Sequence, residues 1–365
     1  MKRAPLLTLL LLMLLMAATP WAEQAVRHAV RQGHGFENRY ASAGTRGNFL
    51  KWQLERLWYG LPRVASHPIE PVAPDLQTLL HPEGQTTVTW IGHATVLLQL
   101  DGLNILTDPM FSDYASPFPP LGPRRHQPPG LSLKQLPHVD VVLISHNHYD
   151  HMDLDSLRAL ARQAGGPPQF LVPLGNERWI RDNIAGLTYD GPGRNVFAMD
   201  WDDQHTVRGK SADLVIHFEA VQHWSARSLW DRNETLWGSW ALIHPRFRFW
   251  FSGDLGYSRD IADIGRKYGG FDLAAIAIGS YEPRWFMAQY HLDPDEAVQA
   301  MQDVGARQAL GIHWGTFQMS DEPLDQPPQD LEAALVARSI SPGRFFVLRH
   351  GETRKFPLPN SQVMH

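Results

Sequence analysis

Seven consecutive residues, Ser145-His146-Asn147-His148-Tyr149-Asp150-His151, directly follow an apolar run over Val139–Ile144 and constrain this chain more than any other stretch. Four side chains able to ligate a metal fall within six positions. A strand alternates its side chains between two faces and cannot aim all four at one point, but an irregular loop at its carboxyl end can. Open α/β sheets place their sites there, so the motif demands such a sheet. Cysteine is absent, which excludes disulfides, thiolate zinc sites, iron–sulfur clusters and cysteine nucleophiles together. Any metal must therefore be held by His and carboxylate, and the chain has 18 histidines to offer.

Further candidates follow other strand-like runs. His223 comes after Leu214–Ala220, Asp254 after the strongly apolar Phe247–Phe251, and His313 at the end of Ala309–Ile312. Singly each is weak: a lone strand-end His is usually structural, and Gly-Asp is usually a turn. With His146, His148, Asp150 and His151 they make a seven-ligand set, enough for two metals.

The remaining chain frames this set. Residues 1–22 carry Lys2 and Arg3 and then a nearly pure apolar run from Leu6 to Ala18, with small residues at Ala17, Ala18 and Ala22. That run is too short to span a bilayer as a helix, and the pattern predicts a cleaved signal peptide, with an uncleaved anchor as the alternative. The expected location is therefore the periplasm or cell envelope. Residues 23–83 read as a polar helical extension with aromatic positions, then a Pro-rich linker. From residue 84 to 350, strand-like runs alternate with helical stretches in both halves, which predicts a layered α/β sandwich. Residues 351–365 read as a C-terminal tail. A net charge of −5 with no basic run longer than two residues argues against nucleic acid as a partner.

The motifs resemble a known family. His146, His148, Asp150 and His151 match the H-x-H-x-D-H signature of the metallo-β-lactamase superfamily. Gln222-His223-Trp224, Leu236–Trp240, Ser252–Tyr257, Tyr281–Met287 and Ile312–Phe317 are similar to the N-acyl-phosphatidylethanolamine-hydrolysing phospholipases D. So are Thr107-Asp108-Pro109 and the Gly122–His126 loop. The resemblance covers about residues 84–350 and implies a four-layer αββα sandwich with two zinc ions. It implies His146, His148 and His223 on one zinc, Asp150, His151 and His313 on the other, and Asp254 as the bridge. It further implies a metal-bridging hydroxide that cleaves N-acyl-phosphatidylethanolamine to an N-acylethanolamine and phosphatidic acid, with His291 as a further catalytic residue. Where vertebrate members carry Gln immediately before that His, this chain has Tyr290, with Gln289 one position earlier.

Other readings stay open at this level. The same ligands would serve hydrolysis of another phospholipid or a lactone, and a metal-stabilised envelope binding protein is the non-enzymatic alternative. His93 and Asp108 suit partners of metal ligands, while Arg124 and Arg125 suit either a lipid phosphate or a solvated loop. Six of the 13 Trp lie within residues 224–285, which fits either a lipid-facing rim or a core. Phospholipid substrate and membrane-surface contact are the expected partners, and homo-oligomerisation is left open.

Overall fold

The computed structural model describes residues 28–33, 35–40, 49–60 and 69–356. The expected signal segment lies outside the described residues. A two-residue hairpin, β1 (Arg31–Gln32) and β2 (Gly35–Phe36), precedes the main body. Six strands follow: β3 (Thr86–Gly92), β4 (Thr95–Leu100), β5 (Leu103–Thr107), β6 (Val141–Leu143), β7 (Gln169–Pro173) and β8 (Val196–Met199). The second half supplies β9 (Gln204–Arg208), β10 (Asp213–Glu219), β11 (Ser239–His244), β12 (Phe247–Phe251), β13 (Phe271–Ala277), β14 (Ala306–Ile312), β15 (Phe345–Val347) and β16 (Thr353–Phe356).

These strands form two seven-stranded mixed sheets, ordered β16-β3-β4-β5-β6-β7-β8 and β15-β14-β13-β12-β11-β10-β9. The period of two along each strand explains the layering. In β4, Val96, Leu98 and Leu100 face the space between the sheets, while Leu97 faces the cluster holding Leu157 and Ile180 of helices Leu154–Ala161 and Asn176–Asn183. β6 divides in the same way, Val141 and Leu143 inward and Val142 toward the helices. Helices Pro294–Asp303 and Gln326–Ala337 pack on the second sheet, completing an αββα sandwich. Trp90, Trp201, Trp237, Trp240 and Trp250 are fully buried in it. Each buried indole N–H needs an acceptor, and Trp240 Nε1 finds the Ile144 carbonyl of the opposite sheet at 3.0 Å.

Two expectations change. Residues 28–33 and 35–40 form the β1–β2 hairpin and a strap rather than helix, with Gly33 in a turn at φ +59°. Among the described residues of the extension, helix is confined to Phe49–Tyr59 and the short Leu76–Leu80. The C-terminal boundary moves from residue 350 to Phe356, because β16 pairs antiparallel with β3, Phe356 opposite Thr86. In the helix Gln326–Ala337, Pro327 and Pro328 occupy the first turn, where the missing N–H groups have no intrahelical partner to lose. Among the described residues no helix is long and apolar enough to cross a membrane.

Candidate metal centre

Strand direction concentrates the ligands. β3, β5 and β6 in one sheet, and β10, β12, β13 and β14 in the other, all run the same way within their sheet. His93 and Asp108 follow β3 and β5, and the Ser145–His151 loop follows β6. His223, Asp254 and His313 follow β10, β12 and β14. All of these residues but two are buried; His148 and Tyr149 are partly covered. Closing the loops this tightly demands unusual backbone. His93, Asp108 and His313 all adopt positive φ, which for non-glycine residues costs about 1–3 kcal/mol each and persists only where surroundings enforce it. Gly253, at φ +58°, answers a different need: a Cβ there would meet the Ser145 Cβ at 2.7 Å. Its absence lets the Asp254 turn approach the His loop from the other sheet.

Asp254 Oδ2 is the centre of the arrangement. It lies 3.1 Å from His151 Nε2, 3.2 Å from His313 Nε2, 3.9 Å from His146 Nε2 and 4.0 Å from His223 Nε2. Around it four overlapping groups among the described residues could hold an ion: His146/His148/His223, Asp150/His151/His313 with His93, Asp254/His291/His313 and Asp108/His146/His151. All seven expected ligands are thus brought together, and His291 joins them, its Nδ1 3.9 Å from the same carboxylate oxygen.

Neighbouring groups fix the rings. Asp108 accepts from Ser145 N at 2.7 Å, from Ser145 Oγ at 2.6 Å and from His151 Nδ1 at 2.7 Å, which turns His151 Nε2 toward Asp254. His223 Nδ1 donates to the Tyr290 carbonyl at 3.0 Å, leaving Nε2 facing the centre. His93 Nε2 pairs with Asp150 Oδ2 at 2.8 Å. Such partners set ring orientation and ligand basicity.

The donor set fits a metal. His148 Nε2, His151 Nε2, His223 Nε2, His313 Nε2 and Asp254 Oδ1 are buried without a hydrogen-bond partner, an arrangement proteins avoid unless something else satisfies the atoms. Burial holds His148 and His223 at about 3 and His146 well below its ordinary value, so these imidazoles are neutral with lone pairs to give. On the other side burial opposes charge, but the Asp254 carboxylate raises His313 to about 9 and His151 well above the usual range. Burial likewise opposes ionisation of Asp150 and Asp254, yet the charge of His151 holds both carboxyls well below theirs. Protons on His151 and His313 balance these carboxylates where a cation would do the same, and metal binding would release them.

A cavity of about 510 Å³ opens onto Asp254, Asp150, His148 and His291. Its walls are mostly apolar: Phe49, Trp52, Trp224, Phe286, Met287 and Met319, with Tyr290 and Arg232 adding polar groups. A cavity of about 570 Å³ beside the β4–β5 turn involves none of the ligands.

Several contributors carry no sequence signal. Trp52, from the N-terminal extension, stacks on Phe286 at 5.1 Å and donates to Asp321 Oδ2 at 2.9 Å. Asn38, also in the extension, contacts the main chain of His223. Arg227 lies between the rings of Tyr149 and Trp179, at 4.0 and 4.3 Å, and donates to the carbonyls of Asn147 and Met152, clamping the His loop. Of the two loop arginines, Arg125 is buried over Phe317 and donates to the carbonyls of Met110 and Ser112; neither it nor Arg124 lines the cavity.

Comparison with known proteins agrees with this geometry. A family model described as the beta-lactamase superfamily domain matches residues 103–314. N-acyl-phosphatidylethanolamine-hydrolyzing phospholipase D 1 of Caenorhabditis elegans is 40% identical over 251 residues, covering 68% of this chain and 69% of that protein. The mitochondrial N-acyl-phosphatidylethanolamine-hydrolyzing phospholipase D of Saccharomyces cerevisiae is 36% identical over 249 residues, 67% of this chain and 50% of that protein. Among solved structures, a metallo hydrolase from the archaeon Ignicoccus hospitalis shares the fold at a TM-score of 0.54 and 18% identity, covering 75% of this chain and 100% of that one. Sandwich, ligand set and relatives agree: the chain belongs to the metallo-β-lactamase superfamily and, within it, to the metal-dependent hydrolases of the N-acyl-phosphatidylethanolamine-hydrolysing phospholipase D family.

Proposed function

We propose that the chain is a di-zinc phosphodiesterase that hydrolyses N-acyl-phosphatidylethanolamine to an N-acylethanolamine and phosphatidic acid. The observation that carries this reading is an apolar-walled cavity ending on one carboxylate oxygen, Asp254 Oδ2, within 4.0 Å of four imidazole Nε2 atoms. His146, His148 and His223 would hold one ion, Asp150, His151 and His313 the other, and Asp254 both. Imidazole and carboxylate without thiolate suit zinc, and also iron or manganese. Two such ions, when bound, supply Lewis acidity and a water made nucleophilic at neutral pH.

The protein's own groups do the rest. Water oxygen bonds to phosphorus as the bond to the ethanolamine oxygen breaks, and the proton the water gives up passes to the leaving oxygen. His291 faces the cavity with Nδ1 unpartnered, and burial holds it neutral, at about 3. A neutral imidazole has one N–H to direct at that leaving oxygen. Phe286, Met287 and Trp52 offer an apolar wall to an acyl chain. Leu229 and Trp230, 89% and 87% exposed, support contact of this face with a lipid surface.

The relatives' names favour the phosphodiester over a lactone. Purified protein is offered micellar N-acyl-phosphatidylethanolamine, plain phosphatidylethanolamine and an acyl-homoserine lactone. Release of N-acylethanolamine, abolished by His148→Ala, is the expected result; preferential turnover of the lactone overturns the reading. Export is also proposed: the mature protein should begin between residues 19 and 25 on N-terminal sequencing, and an intact Met1 in the cytosol rejects it.

A further inference from the structure

Arg232 is the one Lys or Arg among the described residues lining the cavity above Asp254. Its guanidinium lies 4.1 Å over the Trp224 ring, and that ring packs edge-on against His148 at 4.3 Å. Nη2 donates to the Tyr290 hydroxyl at 3.2 Å. Among the described residues Arg232 has no carboxylate partner, and its other N–H donors are not engaged by protein acceptors. Stacking holds the plane of the fork while leaving its edge to a ligand, and a guanidinium edge matches the paired oxygens of a phosphate.

The site residues it joins come from distant parts of the chain. The Tyr290 hydroxyl accepts from Arg232 while its carbonyl accepts from His223 Nδ1. One residue therefore touches both a candidate metal ligand and the cation at the cavity mouth. Leu229 and Trp230, three and two residues before Arg232, are exposed, and Arg232, itself exposed, lines the cavity that reaches Asp254.

We propose that Arg232, held by Trp224 and Tyr290, binds the anionic phosphodiester oxygen of the substrate and orients the headgroup over Asp254. This rests on the phosphodiester reading above. It assigns the phosphate contact to a residue outside the ligand motifs.

The test uses full-length, metal-loaded protein with N-acyl-phosphatidylethanolamine in neutral detergent micelles. Arg232→Ala should raise KM about tenfold, the scale of one charge-assisted contact, with kcat changed far less. Arg232→Lys should recover part of the loss, and Tyr290→Phe should raise KM more modestly. An unchanged KM in Arg232→Ala overturns the proposal. So does an effect that appears only when anionic phosphatidylglycerol is added, since Arg232 would then read the surface and not the substrate. A second arm follows tryptophan fluorescence on titration with dihexanoyl phosphatidate. Weaker binding by about tenfold in Arg232→Ala supports the proposal, and equal affinity overturns it. Should the wild type fail to turn over the lipid, the phospholipase D reading falls, and the binding arm alone still decides for or against Arg232.

Discussion

The side-chain amide of Asn38 holds the main chain of His223 from both sides: Oδ1 accepts the His223 N–H at 3.0 Å, and Nδ2 donates to the His223 carbonyl at 3.1 Å. Trp237 Nε1 donates to the same Oδ1 at 3.2 Å. A residue of the N-terminal extension thus fixes the backbone on which a candidate ligand is mounted, across 185 residues of sequence. Asn38→Ala should weaken metal retention about 10–100-fold, the usual effect of removing a group that orients a ligand. Chelator competition measures it. Arg39→Ala is the control, since it breaks the neighbouring 2.7 Å pair with Asp202 and leaves His223 untouched. Equal loss in both variants would reduce Asn38 to a docking contact.

Asp254→Asn should cost at least ~100-fold in turnover, because an amide cannot supply the shared anionic oxygen at the centre of the site. Far-ultraviolet circular dichroism should stay unchanged, while elemental analysis should show fewer than the roughly two metal equivalents expected of the wild type. Near-normal rates with both ions retained would remove Asp254 from the bridging role.

Chelation should destabilise the fold as well as silence it. Buried Nε2 atoms of His148 and His223 have no hydrogen-bond partner among the described residues, so metal binding satisfies them only in the folded state. A ligand at ~1,000 times its Kd stabilises by about 4 kcal/mol, so chelator should lower Tm by on the order of 8–12 °C, reversibly on adding zinc. A Tm indifferent to chelator would contradict this.

At the opposite end of the sandwich, Asp101 joins the two sheets. Its carboxylate accepts from Ser211 N and Oγ, both at 2.7 Å, and from Ala212 N at 3.0 Å. Burial works to raise this carboxyl, but those bonds and nearby His244 hold it at about 2. The ordinary value is about 3.9 in an unfolded chain, so the stabilisation is complete above that and is lost as pH falls through the folded value. Asp101→Asn should therefore lower Tm at pH 7 by roughly 3–10 °C. The gap to wild type should narrow as pH falls below about 4. A gap independent of pH would show that the carboxylate charge is not what holds the turn.

Much of the site was legible along the chain because metal chemistry is written in residue type and local spacing. His146, His148, Asp150 and His151 share one loop, and His223, Asp254 and His313 each follow an apolar run that became β10, β12 and β14. Two edge strands, β9 and β16, were not legible, whereas the edge strands β8 and β15 were. β9 buries only Val207, so an edge position leaves no period-two pattern to read. β16 is likewise polar, Thr353-Arg354-Lys355 before Phe356, and exists through its pairing with β3.

By itself the sequence determined that this chain would build a two-layered sheet with a His and carboxylate site at the strand ends, since side-chain period and ligand type are properties of short segments. Which residues surround that site was decided only by the tertiary structure. Asn38 meets His223, Trp52 meets Phe286 and Arg232 meets Trp224 and Tyr290 through contacts that have no spacing rule. Arg125, as basic as Arg232 in sequence, went into the core over Phe317 because the path of the 111–126 loop carried it there. Ligand identity is local chemistry, whereas access, charge and ring orientation at the ligands depend on where distant segments come to rest.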